Sequence, residues 1–421
     1  MNKSSSLSPQ TLSALFLVAG TCIGGGMLAL PVATALNGFL PSTLVMILAW
    51  LAMTLTALYL VEVGFWMKKD DAHVSSMTSR FLGKWGKSLS WLLYLFISYA
   101  SLVAYTAGSG HLMTKALFSY GGIEITKEMG CVLFTLLFGP CLFCSHKLLG
   151  KVNAVLFVAM IIAYVVLISM SVPHVQGDLL SRTNWSGAYL ALPLLLTAFS
   201  FQTMVPSLHP YLGHHAPSLR VAIIGGTALA FVVYIIWQAT VLGTVPLDGP
   251  HGLMQALKEG EAATHVLGAA VGSHYIELLA SFFAFFALVT SFFGIALGLY
   301  DFLSDGLNIP KKGWGTVALG LLVLVPTLLS AINFERIFLR ALDASGGFGD
   351  SILNGIMPIL MIVIARYHLK LEQMGFVAPR AKWLLGAAFL FYVTALGIEI
   401  LTHTGLLIAV HDLGELPHTL D

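Results

Sequence analysis

Residues 18–35 read VAGTCIGGGMLALPVATA. The run is apolar enough to lie in a bilayer, yet Gly20, Gly24, Gly25 and Gly26 crowd its middle with the poorest helix formers short of proline. Backbone that leaves the helix at membrane depth survives only where protein or a polar cavity satisfies it. Half-helix ends facing such a cavity offer N–H groups to anions and carbonyls to cations, so the glycines point to a binding site. The competing reading is close packing, because Gly20 and Gly24 form a small-xxx-small pair.

The rest of the chain fits a bilayer. Apolar residues make up 57% of 421 against 10% charged, too much apolar surface for a water-soluble domain to hide. A net charge of +1, with basic residues scattered through short loops, excludes a nucleic-acid footprint. Cys22, Cys131, Cys141 and Cys144 all lie in apolar surroundings, which argues against a disulfide framework. Cys141 and Cys144 form a C-x-x-C with no second ligand pair, so packing is expected there rather than metal or redox chemistry. The N-terminal stretch runs straight into a span too long for a signal sequence and is expected to be a retained first helix.

Marking each apolar run long enough to cross predicts eleven spans: 11–36, 41–67, 88–114, 128–146, 152–172, 187–211, 219–243, 273–303, 314–333, 350–367 and 383–403. An N-terminus inside puts fifteen lysines and arginines on the cytoplasmic side and six on the other. That bias orients the chain with a cytoplasmic tail at 1–10 and an external one at 404–421.

A second span is interrupted too. Residues 192–212, LPLLLTAFSFQTMVPSLHPYL, open on Pro193 and place Ser200, Gln202, Thr203, Pro206 and Ser207 where hydrocarbon should be. Spans one and six correspond if residues 11–172 form one five-helix repeat and 187–367 its inverted copy, with 383–403 an added helix. Paired interruptions at corresponding places are the sequence sign of a transporter binding site.

GTCIGGGMLALP at 20–31, AFSFQTMVPSL at 198–208 and TSFFGIALGLYDFLSD at 290–305 resemble the three signature stretches of the hydroxy and aromatic amino acid permeases. Order and spacing match from the first span to the eighth and weaken after residue 310. The resemblance implies an all-α membrane protein of eleven helices with a LeuT-like five-plus-five fold. It also implies import of an aromatic amino acid driven by a cation gradient, H+ or Na+, with no other cofactor. The first and third motifs are most similar to the tyrosine branch; tryptophan, or serine and threonine, are the alternatives.

A zwitterion entering a dry site needs both charges met. The N–H groups of Gly24, Gly25 and Gly26 are expected to take the carboxylate, and the carbonyls of Cys22, Ile23, Phe199 and Ser200 the ammonium. Tyr99, Phe199, Phe201 and Phe292 are candidates for an aromatic slot, with Gln202 as the partner of a phenol. Thr290 and Ser291, with the carbonyls of Gly20 and Ile23, would form an oxygen cage for sodium in the fold that the resemblance implies. The alternative is hydrogen bonding of each hydroxyl to its own helix.

Two positions depart from the family pattern. Met160 stands where these permeases usually carry a lysine in span five, and Gln202 where they usually carry a histidine. Neither side chain titrates, which weakens proton coupling and makes sodium a rival. Glu62 and Asp301 could relay protons or brace an inner gate; the bland readings are an interfacial carboxylate pairing with Lys68, and a helix-end pair with Lys311 or Lys312. Glu399 is expected at the outer interface.

The 14 histidines fall at span ends or in loops, and LHPYLGHHAP at 208–217 reads as a solvated loop, so no metal site is expected. The segment after span seven, residues 246–268, is long enough for a short helix lying across the outer mouth as a lid. A channel would need a charged ring or a carbonyl filter, and an enzyme a mid-membrane catalytic set; neither is visible.

Overall fold

The computed structural model describes residues 8–67, 73–143, 146–334 and 336–408, and all regular structure among them is helical. Cys144, Lys68 and the C-terminal tail beyond 408 lie outside the described residues. Nine described helices are long and apolar enough to cross a membrane, and a bent pair makes a tenth.

That pair is the first predicted span. Helix α1 (Pro9–Cys22) begins at a Ser8 cap that accepts the Thr11 N–H, with Pro9 where its missing N–H costs nothing. It stops at Cys22, Gly24 is extended, and α2 (Gly25–Ala33) resumes at 50° to the first. Then come α3 (Phe39–Trp66), α4 (Val74–Gly121), α5 (Lys127–Phe138), α6 (His146–Ser171) and the short α7 (Gly177–Ser181).

The sixth predicted span is also two pieces, α8 (Leu192–Ala198) and α9 (Val205–Tyr211), separated by irregular backbone and one 3-10 turn at Gln202–Met204. They lead to α10 (Ala216–Thr244), the short α11 (Leu253–Glu259) and α12 (Thr264–Val271), and α13 (His274–Leu307). The chain closes with α14 (Trp314–Asn333), α15 (Ile337–His368) and α16 (Lys382–His403). The end at which α1 begins is the proximal face; α11 and α12 lie at the other, the distal face.

Three predicted boundaries are corrected. The third span, placed at 88–114, is the second part of a far longer α4 that bends at Gly83, whose φ of 71° only glycine adopts readily. The fourth, placed at 128–146, is a 12-residue helix followed by a 3-10 turn at Gly139–Phe143, where Pro140 interrupts the α-helical pattern. The tenth, placed at 350–367, begins at Ile337. Its glycine-rich middle, Ser345–Ile356, is wound with wider i to i+5 bonds, an irregularity that tends to mark functional sites.

The core runs through the centre of the bundle. Helix α1 packs on α10, α13 on α6 and α4, and α8 on the wide-turn part of α15. Gly346 makes the last contact possible: a Cβ there would sit 1.7 Å from the Pro193 carbonyl oxygen.

Candidate functional site: two facing breaks

The two interruptions meet. A Cβ built on Gly26 would lie 3.4 Å from Cα of Ala198, so the head of α2 rests on the last residue of α8. Tyr234 of α10 joins them: its hydroxyl lies 2.6 Å from the carbonyl oxygens of both Cys22 and Ala198, the last residues of α1 and α8. A hydroxyl has one proton, so it satisfies one of these carbonyls at a time. Successive turns of α10 continue the support, Trp237 Nε1 donating to the Met27 carbonyl at 3.1 Å and Gln238 Nε2 to the Thr34 hydroxyl.

The glycines are also places where other groups come close. A Cβ on Gly24 would meet the Ser291 hydroxyl at 2.2 Å, and one on Gly25 would meet the Tyr105 ring at 2.5 Å and Leu288 at 3.0 Å. The Gly25 N–H donates to Ser291 Oγ at 3.1 Å. Gly20 packs against Phe157, the close-packing alternative for that residue.

The second break has a polar flank. Ser200 donates to Asp350 Oδ1 at 2.6 Å, and Asn354 Nδ2 donates to the same oxygen at 2.6 Å and to Ser200 Oγ at 3.2 Å. Asp350 is fully buried, and its Oδ2 has no hydrogen-bond partner among the described residues. Sequence reasoning missed this carboxylate because the span was started on it; with the helix beginning at Ile337 it lies deep in the bundle. Glu399, four residues before the end of α16, is fully buried, with Gly347 against its carboxylate and His403 Nδ1 3.3 Å from Oε1.

The other candidates fall in different places. Phe199, Phe201 and Phe292 are buried, with Phe199 on the Tyr234 ring at 4.9 Å and Phe292 edge-on to Phe134 at 5.1 Å. Gln202 is not free for a phenol: its Nε2 donates to the Met53 carbonyl and its Oε1 accepts the Phe201 N–H, both at 3.0 Å, so it braces the unwound backbone. Tyr99 donates to the Leu322 carbonyl at 2.7 Å, on the contact with α14 and not at the breaks. Thr290 donates to the Phe286 and Ala287 carbonyls of its own helix, while Ser291 meets the break through the Gly25 N–H. The hydroxyl pair is therefore split between two jobs, and Met160 is buried in α6.

At the proximal face Glu62 pairs with Arg366, through Nε–Oε1 at 2.8 Å and Nη2–Oε2 at 2.5 Å, and accepts the Ala378 N–H at 2.6 Å. Arg366 and Ala378 reach Glu62 because the segment after α15 folds back over the end of α3; Lys68, the partner expected from the sequence, lies outside the described residues. Asp301 pairs with Lys311 at 2.7 Å on the surface, the helix-end pair considered from the sequence. His209 is no loop residue: it is buried in α9, edge-on to Phe65 at 5.0 Å and against Gly64.

At the distal face a cavity of about 530 Å³ is lined by His111, Glu261 and His265 among others, and reaches Leu288, which with Tyr105 packs over Gly25. The short helix expected within residues 246–268 is α11, and the start of α12 is tied to α2 by the Ala263 N–H on the Leu28 carbonyl at 3.2 Å.

A bundle of helices long and apolar enough to cross a bilayer defines a polytopic membrane protein, and two broken helices meet inside it. Residues 7–399 match the tryptophan/tyrosine permease family, and the chain belongs to that family, whose members are transport proteins and not enzymes. Tyrosine-specific transport system 1 of Haemophilus influenzae is 33% identical over 85% of this chain and 88% of its own length. The tryptophan-specific transport protein of the same organism is 28% identical over 94% of this chain and 97% of its own. Among solved structures, the manganese transporter of Eremococcus coleocola, crystallised with an aromatic bis-isothiourea compound, superimposes with a TM-score of 0.58 at 16% identity. It covers 94% of this chain and 86% of that one, a likeness of fold alone.

Proposed function

We propose that this protein imports an aromatic amino acid, tyrosine ahead of tryptophan, across the bacterial inner membrane by cation symport with alternating access. The observation that carries the reading is the Tyr234 hydroxyl set between the carbonyls that end α1 and α8. Two carbonyls sharing one proton suit an ammonium group, which brings three donors. The substrate carboxylate would replace Ser291 Oγ as acceptor of the Gly25 N–H at the head of α2. Phe199, Phe201 and Phe292 would part to admit the ring. The identity to a tyrosine-specific relative supports tyrosine first; tryptophan is the second reading, supported by the tryptophan-specific relatives.

In this reading residues 127–143 complete eleven crossings, and the five-plus-five LeuT-like arrangement pairs α1–α2 with α8–α9, leaving α16 as the added helix. The basic residues put the proximal face in the cytoplasm. The bundle of α1–α2, α3, α8–α9 and α10 rocks against α4, α5, α13 and α14. The proton becomes the leading coupling ion, with Asp350 its carrier, because that buried carboxylate is hydrogen-bonded directly to Ser200 at the second break. Sodium is the alternative, and Ser291 is its best remaining ligand.

Uptake of labelled tyrosine into liposomes, under a pH gradient and a sodium gradient imposed separately, tests this. Accumulation under the pH gradient, competed by unlabelled tryptophan more than by serine, is the expected result. Accumulation under sodium alone would remove Asp350 from the scheme, and preferential competition by serine would overturn the aromatic assignment.

A further inference from the structure

His111, Glu261 and His265 come from α4, the α11–α12 connection and α12, and among the described residues they alone gather three metal-competent ligand atoms, all within 4.8 Å of one another. His111 Nε2 lies 3.1 Å from Glu261 Oε1 and His265 Nδ1 3.0 Å from Oε2, with the two rings stacked at 4.5 Å. All three line the distal cavity, which gives solutes a way in.

As a set of ion pairs the cluster is poorly matched. Two imidazolium rings and Lys127, 3.7 Å from Glu261 Oε1, would all compete for one carboxylate. Charging both stacked rings would also set like charges against each other. His111 Nε2 and His265 Nδ1 both face the Glu261 carboxylate, and a bound metal ion would take the place of the protons that hold them there. Two imidazoles, a carboxylate and an open fourth position are the donor set that zinc takes in open sites. Bonds of about 2.1 Å in tetrahedral array place ligand atoms about 3.4 Å apart, so small ring rotations suffice.

We propose that His111, Glu261 and His265 form a binding site for a divalent transition-metal ion of the zinc class, which fastens the α11–α12 lid to α4. The binding goes beyond the transport reading; its effect on uptake rests on that reading. A metal holding the lid to α4 restrains the movement of α2, to which the lid is bonded through Ala263 and Leu28. Metal at the distal face therefore slows transport.

The test uses zinc alone as probe on the purified full-length protein, read by calorimetric titration and by thermal stabilisation. One saturable site per chain is expected, weakened by at least about tenfold in His111→Ala and in His265→Ala. Lys127→Ala removes the competing ammonium and should tighten binding, an outcome that a misfolded variant could not mimic. Absence of saturable binding, or affinity unchanged in both histidine variants, overturns the site. In proteoliposomes, zinc on the distal side should slow uptake by the wild type and not by His265→Ala; zinc that binds without slowing the wild type overturns the clasp. Because binding is measured without transport, failure of the uptake reading leaves the metal result standing.

Discussion

The first break is made of backbone and the second of side chains. Gly24, Gly25 and Gly26 bring nothing but N–H and carbonyl groups, and a Cβ on Gly24 or Gly25 would come within 2.5 Å of a neighbour. At Phe199, Ser200 and Phe201 the chain instead presents two buried rings and a hydroxyl that reaches Asp350, while Gln202 holds the loose backbone from below. The difference separates tasks. A glycine break fixes charged ends of a ligand at close range with no selectivity for its side chain. A break with side chains can read the ligand's ring and pass its arrival to a titratable group. One residue outside both, Tyr234, touches the two carbonyls, so that movement of either half-helix is felt by the other.

The largest effect expected from this division is at the first break. Gly25→Val puts branched carbon into Tyr105 and Leu288, and should abolish tyrosine binding while the protein still reaches the membrane. Unchanged binding would mean that the glycines serve helix packing alone. At the second break, Asp350→Asn should remove accumulation driven by a pH gradient but preserve exchange of labelled for unlabelled substrate across the vesicle. Loss of exchange as well would make Asp350 a structural anchor of Ser200 and not a carrier of the coupling proton.

Both breaks were legible because the residues that unwind a helix are themselves the signal: four glycines in one span, prolines and an amide in the other. What flanks them was not. Asp350 lies in DASGGFGD, a stretch whose composition reads as a loop; it is helical because Gly346 and Gly347 let Pro193 and Glu399 pack against it, a tertiary cause with no local mark. Tyr234 is one of 13 tyrosines in an apolar run, and only its position between two carbonyls distinguishes it. Gln202 was rightly noticed as an amide in hydrocarbon, but an amide beside unwound backbone is bound by that backbone first. The partners His111 and Glu261 are too far apart in sequence for any spacing rule to join them.

The carboxylates of the proximal face extend the comparison to groups outside the breaks. Glu62 is buried and held by Arg366 and the Ala378 N–H, so Glu62→Gln leaves a guanidinium with half its partner. Breaking a buried pair in this way costs about 3–5 kcal/mol, which should appear as a lowered thermal midpoint in detergent. Uptake normalised to folded protein should change less than in Asp350→Asn, since Glu62 braces the proximal end and touches neither break.

Asp301 provides the smallest effect and the sharpest contrast. It lies on α13, the helix that carries Ser291, so a relay from the surface to the break is the rival to a plain ion pair. Its partner Lys311 is more than a third exposed, as is Asp301 itself, and such pairs contribute about 0–1 kcal/mol. Asp301→Asn should therefore leave both the thermal midpoint and the pH dependence of uptake close to those of the wild type. A marked loss of proton-driven uptake in this variant, with exchange intact, would move the proton path from the buried flank of the second break to the surface end of α13.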